Sequence, residues 1–254
     1  MITAVVCSDD RMRYVCKSLH MEMEIIAIDE DSDFLTLPRL DAIILPVKGI
    51  DDEGYMKLYD SLVHVPSMFW QIQKDMIIFS GMETSYISAL PMKKYYYMKD
   101  TTVIDENAIL TAEGILHLLI TSLAKSLYDI QIDIIGYGHC GKAIYRMLKS
   151  LDVKVRVIRR DCIEDDTFMT IKHWKQCGDV IINTSIEKLM DADLMRSWKN
   201  APLIIDIATP DVVDKQCAKE LGIPYQKEGN LPGRFCAESA GKIIADYVRG
   251  KLIK

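Results

Sequence analysis

Short apolar runs recur along the chain, separated by stretches in which apolar residues return every three or four positions. The runs cover residues 2–7, 24–28, 41–47 and 76–79, and later 131–135, 179–184 and 203–209. Runs of this length bounded by polar turns predict strands, and their lack of alternation predicts burial on both faces of parallel sheets. Residues 153–158 alternate and predict a further strand. The helical stretches predict an element over 11–19, after the polar turn Ser8-Asp9-Asp10-Arg11, and another over 142–151. A long amphipathic helix is predicted over 107–127, with Ile115, Leu116, Leu119 and Leu123 on its apolar face.

Residues 94–98 predict a fifth strand of the first half; with no basic surround, their tyrosines read as strand packing rather than base stacking. Residues 161–177 read as a connecting loop and helix lying across the second sheet, and 222–225 lead into the last strand. Gly229-Asn230-Leu231-Pro232-Gly233 reads as a rigid turn, and Ala237-Glu238-Ser239-Ala240-Gly241 opens a terminal helix through Val248. The expected fold is α/β: two Rossmann-like doubly wound parallel-sheet domains joined by a long helix, with the C-terminal helix returning to the first. The expected division is an α/β domain over 1–106, the connecting helix over 107–128, a dinucleotide domain over 129–236 and the terminal helix over 237–254. This order predicts a cleft between the domains.

The second domain opens on Gln131-Ile132-Asp133-Ile134-Ile135-Gly136-Tyr137-Gly138-His139-Cys140-Gly141, a strand breaking into spaced glycines and then into helical periodicity. In such a turn Gly136 permits the tight bend, Gly138 lets the backbone approach a pyrophosphate and Gly141 lets helix pack on strand. The phosphates then meet the unpaired N–H groups of the helix N-terminus. The strand after that helix ends at Arg159-Arg160, where the adenosine ribose is read. Basic residues there predict NADP; solvated strand-end charges are the competing reading. By the rule that ligands bind beyond the carboxyl ends of parallel strands, Thr184 and Asp206 belong to the nicotinamide side. Asn183 as a turn former and Asp206 as a helix cap remain open.

Composition narrows the partners. The 254 residues carry 31 basic and 37 acidic side chains, a net charge of −6, without the basic stripe that nucleic-acid binding needs. A small-molecule partner fits better. Seven scattered cysteines without a CxxC spacing point to reduced thiols in a cytosol. Cys140 reads as a small residue filling its slot, with a redox role the weaker alternative. The N-terminus lacks the flanks of a signal peptide and no apolar run nears the roughly 18 residues of a membrane span, so a soluble cytoplasmic protein is expected. No group of His, Cys or Asp has metal-ligand spacing, and no metal is expected.

The landmarks, in order, resemble the family formed by the first of the two subunits of dipicolinate synthase, a sporulation enzyme of Bacillus and its relatives. Asp9 and Arg11 match a Gly-Asp-x-Arg turn, and 41–47 with Ile78-Phe79-Ser80-Gly81 resemble two strand-end motifs. Thr111-Ala112-Glu113-Gly114 resembles a Thr-x-Glu-Gly helix start. The glycine turn, the arginine after the second strand, Ile182-Asn183-Thr184, Ile205-Asp206-Ile207-Ala208 and Leu231-Pro232-Gly233 complete the series. The resemblance implies oxidation of a dihydrodipicolinate, formed from a hydroxy-tetrahydrodipicolinate, with NADP as hydride acceptor. It also implies a heteromeric complex with a flavoprotein-like second subunit and, in a sporulating bacterium, a mother-cell location; a homo-oligomer is left open.

For the dicarboxylate substrate the resemblance implies binding by Arg11, Lys48, Ser80, Gly81, Thr111, Gly114, Pro232 and Gly233. It makes Glu113 the candidate base, its carboxyl raised by burial in the cleft, with His117 one helical turn on as its partner. A carboxylate capping the first helical turn is the competing reading of Glu113. The implied cofactor set is Gly136, Tyr137, Gly138, His139, Cys140, Gly141, Arg159, Arg160, Asn183, Thr184, Asp206 and Ala208. The chain departs from the family where Thr209-Pro210-Asp211-Val212 stands in place of Arg-Pro-Gly-Gly, and Ala237 replaces a proline. These departures keep open two alternatives, another two-domain NADP-dependent dehydrogenase and a non-catalytic NADP-binding regulatory subunit. Dehydrogenases of hydroxy acids bring an arginine, a histidine and an acidic partner into the cleft, and the last third shows no Arg followed by Glu and His.

Overall fold

The structure is a computed structural model and describes residues 1–252. The chain forms two compact units, residues Met1–Asn107 with the segment from Pro232 onward, and residues Ala108–Leu231.

The first unit begins with β1 (Ile2–Val6), α1 (Asp10–Leu19), β2 (Glu24–Ile28) and β3 (Ala42–Ile44). A hairpin of β4 (Tyr55–Leu58) and β5 (Ser61–His64) follows, then α2 (Ser67–Ile72), β6 (Ile77–Ser80), α3 (Ser85–Ala89) and β7 (Lys94–Tyr96). Five strands form one parallel sheet in the order β2-β1-β3-β6-β7. The unalternating runs are explained by parity: Ala4, Val6, Ile43 and Ile78 bury on one face, and Val5, Ala42, Ile44 and Phe79 on the other. Asp9 accepts a hydrogen bond from Met12 N at 3.2 Å and so starts α1 where the polar turn predicted.

The chain enters the second unit along α4 (Thr101–Ser122) and continues through β8 (Gln131–Ile135), α5 (His139–Ser150), β9 (Lys154–Arg159) and β10 (Phe168–Thr170). Then come β11 (Val180–Asn183), α6 (Ala192–Ser197), β12 (Leu203–Asp206), α7 (Lys215–Glu220) and β13 (Tyr225–Lys227). The sheet is parallel throughout, in the order β10-β9-β8-β11-β12-β13. Residues of α4 and α5 share one core with Ile132, Ile134 and Ile182, while those of α6 and α7 share the opposite core with Ile135, Ile181 and Ile204. Helices on both faces of a parallel sheet make the expected doubly wound α/β fold. The chain closes with α8 (Leu231–Phe235) and α9 (Ala237–Leu252). A Cβ on Gly241 would stand 2.6 Å from Arg11 O and from Tyr14 Cβ, so this glycine sets how closely α9 approaches α1.

Several elements differ from the sequence expectation for local reasons. Residues 161–177 form no helix: Asp165 accepts from Thr167 N and Phe168 N, both at 2.7 Å, and Glu164 from Thr170 N at 2.7 Å. Side chains that take backbone N–H groups in this way favour a turn over a helix, and the segment delivers the edge strand β10 instead. The helix expected from 107 starts at Thr101 because Asp100 accepts from Thr102 N at 3.0 Å. The Leu231-Pro232-Gly233 turn is the start of α8, where proline is tolerated in the first turn. The strand at 94–98 stops at Tyr96, and Tyr97 turns inward to donate its hydroxyl to Leu45 O at 3.0 Å. The hairpin β4–β5 has no counterpart among the expected elements.

Candidate functional site

The glycine turn has the geometry that a dinucleotide needs. Gly136 has φ +93°, in the left-handed region, and a Cβ there would meet Thr184 Oγ1 at 2.8 Å. Gly141 lies in the first turn of α5 with its Cβ position 2.4 Å from Gly136 O, so the helix can pack on the turn only without a side chain. A Cβ on Gly138 would meet no atom within 4 Å. Gly138 is the N-cap of α5 and offers no side chain to its first N–H groups, and no acidic residue stands in that turn. The cradle fits a pyrophosphate: no N-cap side chain covers the start of the helix, the Gly138 side is open, and the helix dipole favours an anion there.

Thr184 braces this turn by donating to Ile135 O at 2.9 Å. The Cys140 thiol is pushed up by burial and hydrogen-bonded to the Thr111 hydroxyl, which occupies Thr111 within the second unit. His139 is exposed at the start of α5.

At the end of β9 the two arginines differ. Arg160 Nη1 pairs with Glu187 Oε1 at 2.8 Å. Arg159 makes no salt bridge among the described residues; its guanidinium lies 6.0 Å from the centre of the Tyr137 ring, and Lys142 Nζ lies 5.9 Å from the same ring. Phe168 packs edge-on against Tyr137 with ring centres 5.0 Å apart. The glycine turn, Arg159 and Lys142 therefore gather around one aromatic side chain, a basic corner beside the phosphate cradle.

The carboxyl ends of β11, β12 and β13 converge on Asp206, which is fully buried. It accepts from Asn183 Nδ2 at 2.8 Å, Ala208 N at 3.0 Å, Tyr225 OH at 2.9 Å and Lys227 Nζ at 2.9 Å. Asn183 also accepts from Ser185 N at 3.2 Å, so the turn-forming reading holds alongside the strand-end position. Burial and the Asp206 carboxylate both push the Tyr225 phenol up. For Lys227, burial lowers the ammonium, but Asp206 and Asp211 outweigh it and the net direction is upward. Tyr225 and Lys227 are not among the expected site residues; the signal for them is their two-residue spacing on a strand, which points both to one face.

In the first unit, the ends of β3 and β6 bring Lys48, Ser80 and Gly81 together. A Cβ on Gly81 would stand 2.1 Å from Val47 O, and the buried Ser80 hydroxyl donates to Met82 O at 2.8 Å. Lys48 is exposed, whereas Arg11 is buried with Nη2 2.7 Å from Asp9 Oδ2. Pro232 and Gly233 are buried in α8 of the same unit. Gly114 is buried in α4, and Glu113 and His117 lie on its exposed face.

The two parallel sheets, in these strand orders, define a two-domain Rossmann-like α/β protein. Over its full length the chain is similar to solved structures of one of the subunits of dipicolinate synthase. For the one from Bacillus halodurans the identity is 19%, the coverage 100% of this chain and 98% of that one, and the TM-score 0.84. For the one from Bacillus subtilis the values are 21%, 99% and 95%, and 0.83. An NADPH-dependent glyoxylate/hydroxypyruvate reductase from Sinorhizobium meliloti matches at 15% identity, over 100% of this chain and 95% of that one, with a TM-score of 0.61. At such identities the likeness is one of fold. No protein-family model matches the chain, and no curated protein matches it in sequence.

Proposed function

We propose that the chain is an NADP-dependent oxidoreductase of the dipicolinate synthase type, oxidising dihydrodipicolinate to dipicolinate alongside a flavoprotein-like second subunit. The observation that carries the reading is the open cradle at Gly138, on the N-terminus of α5 and beside Arg159. Full-length similarity in fold to two dipicolinate synthase structures supports the choice of reaction. On this reading the protein works in the mother cell of a sporulating bacterium.

The bound cofactor supplies a hydride acceptor. The chain's part is to hold and orient: the first amides of α5 take the pyrophosphate, and Arg159 with Lys142 takes the 2′-phosphate. Arg11 and Lys48 supply cations for substrate carboxylates, with Asp9 fixing the Arg11 side chain. Glu113 is the group assigned to the ring proton. One observation favours a second reading, a related substrate or a regulatory NADP-binding role. In the loop that departs from the family, Asp211 is paired with Lys215 and Lys227, and no arginine stands there.

The test is titration with NADPH and NADH, with and without dipicolinate. Tighter NADPH binding, strengthened further by dipicolinate, is the expected result, because product and cofactor that share a site are coupled. NADPH binding indifferent to dipicolinate would remove the substrate assignment and leave the cofactor site. The two arginines give a sharper check. Arg159→Ala is expected to weaken NADPH by about 10- to 100-fold, the worth of a charge-assisted hydrogen bond, while sparing NADH. Arg160→Ala, already paired with Glu187, is expected to change either affinity less than about threefold. Equal losses of both cofactors in Arg159→Ala would show that it does not read the 2′-phosphate.

A further inference from the structure

Cys7 follows β1, and Cys16 lies on α1 one and a half turns beyond Arg11. Strand parity sends Cys7 to the same face of the sheet as Val5, the face that α1 covers with Met12, Val15 and Leu19. The two side chains consequently meet, with Sγ atoms 3.6 Å apart. Cys7 is buried at 5% exposure, and Cys16 is half-buried.

We propose that Cys7 and Cys16 form a peroxide-sensitive dithiol that closes to an intramolecular disulfide within the first unit. A disulfide needs a sulfur–sulfur distance of about 2.05 Å, so closure asks the sulfurs to approach by roughly 1.5 Å. The contact also prepares the chemistry. A shared S–H between the sulfurs lowers the Cys7 thiol, helped by Arg13, and raises that of Cys16. The Cys7 thiolate attacks one oxygen of hydrogen peroxide and breaks the O–O bond; the sulfur becomes a sulfenic acid and hydroxide leaves, taking up the proton that Cys7 released on ionising. Cys16 then attacks that sulfur, the S–O bond breaks, the S–S bond forms and water departs with the Cys16 proton. Two electrons pass from the two sulfurs to the peroxide, which ends as two waters. Burial of Cys7 restricts the oxidant to a small hydroperoxide. The cross-link would tie the end of β1 to the helix that Asp9 caps and that carries Arg11.

The proposal is independent of the cofactor reading. The full chain, reduced and freed of reductant, is treated with hydrogen peroxide, alkylated under denaturing conditions and digested without reduction. The expected product has lost two hydrogens, is protected from alkylation at two cysteines and yields a linked pair of peptides containing Cys7 and Cys16. Dithiothreitol is expected to restore both thiols. Cys16→Ser, at the half-buried position, should abolish the linkage, while Cys140→Ser should leave it intact. Oxygen added at Cys7 or Cys16 without linkage, full alkylation of both after treatment, or a disulfide joining other cysteines would overturn the proposal. The wild-type map decides the question even where a variant fails to fold.

Discussion

Asp133→Ala is expected to lower the stability of the second unit by about 3–5 kcal/mol, the cost of breaking a buried ion pair from one side. Asp133 sits in the middle of β8 with no exposed surface. Its Oδ1 accepts from Arg156 Nε at 2.8 Å, while Oδ2 accepts from Arg156 Nη2 at 2.7 Å, Trp174 Nε1 at 2.8 Å and Gly178 N at 2.7 Å. Removing the carboxylate orphans donors from a neighbouring strand and from the segment that precedes β11, including a fully buried indole. The Arg156 side chain retains 23% exposure and can recover part of its hydration, which keeps the cost nearer the lower bound. Asparagine offers one acceptor oxygen where two are in use, so Asp133→Asn should not restore wild-type stability. For a chain of this size the loss corresponds to a fall in Tm of roughly 10 °C, measurable by calorimetry. A shift below about 2 °C would show that the network is dispensable.

This network also shows where legibility ends. In the sequence, Asp133 interrupts an apolar run and invites no comment, because its partners Arg156 and Trp174 lie 23 and 41 residues further on. What can be read is local: the apolar runs that form two parallel sheets, the Asp9 cap, and a strand–turn–helix in which Gly136 and Gly141 each have a separate steric reason. The expectation of a helix within 161–177 fails because Glu164 and Asp165 bond to backbone that follows them, a preference composition does not reveal.

Among the candidate site residues the same division holds. Chemistry borne by one turn is readable in the glycine motif, whereas chemistry assembled from strand ends is not. Asp206 stands out in the sequence by its position alone. Its partners Tyr225 and Lys227 come from the next strand in the sheet, and only the register Asp206↔Lys227 brings that cation to it. Ser80 and Thr184 are expected as ligand contacts. In the structure their hydroxyls donate to the backbone of the turns they stabilise.

Gly138→Ala and Gly141→Ala should separate cofactor binding from folding, although both replace glycine by the smallest side chain within one motif. At Gly138 the backbone has φ −77°, which any residue adopts, and the added methyl meets no protein atom within 4 Å. The variant should therefore keep its stability or gain up to about 1 kcal/mol through a stiffer unfolded chain. Its NADPH affinity should nonetheless fall by at least about 100-fold, equivalent to roughly 2.7 kcal/mol, because the methyl stands where a pyrophosphate must approach the amides of α5. At Gly141 the methyl would stand 2.4 Å from Gly136 O and 3.1 Å from Thr184 Oγ1. Backbone must then move, at an overpacking cost of about 1–3 kcal/mol, and cofactor binding falls together with Tm. Calorimetry and NADPH fluorescence titration on the two variants read both quantities. If Gly138→Ala bound NADPH like the wild type, the open side of the turn would not be a phosphate site. If it lost stability as Gly141→Ala does, the cause would be packing and not a ligand, since only a group absent from the free chain can make a clash-free methyl costly.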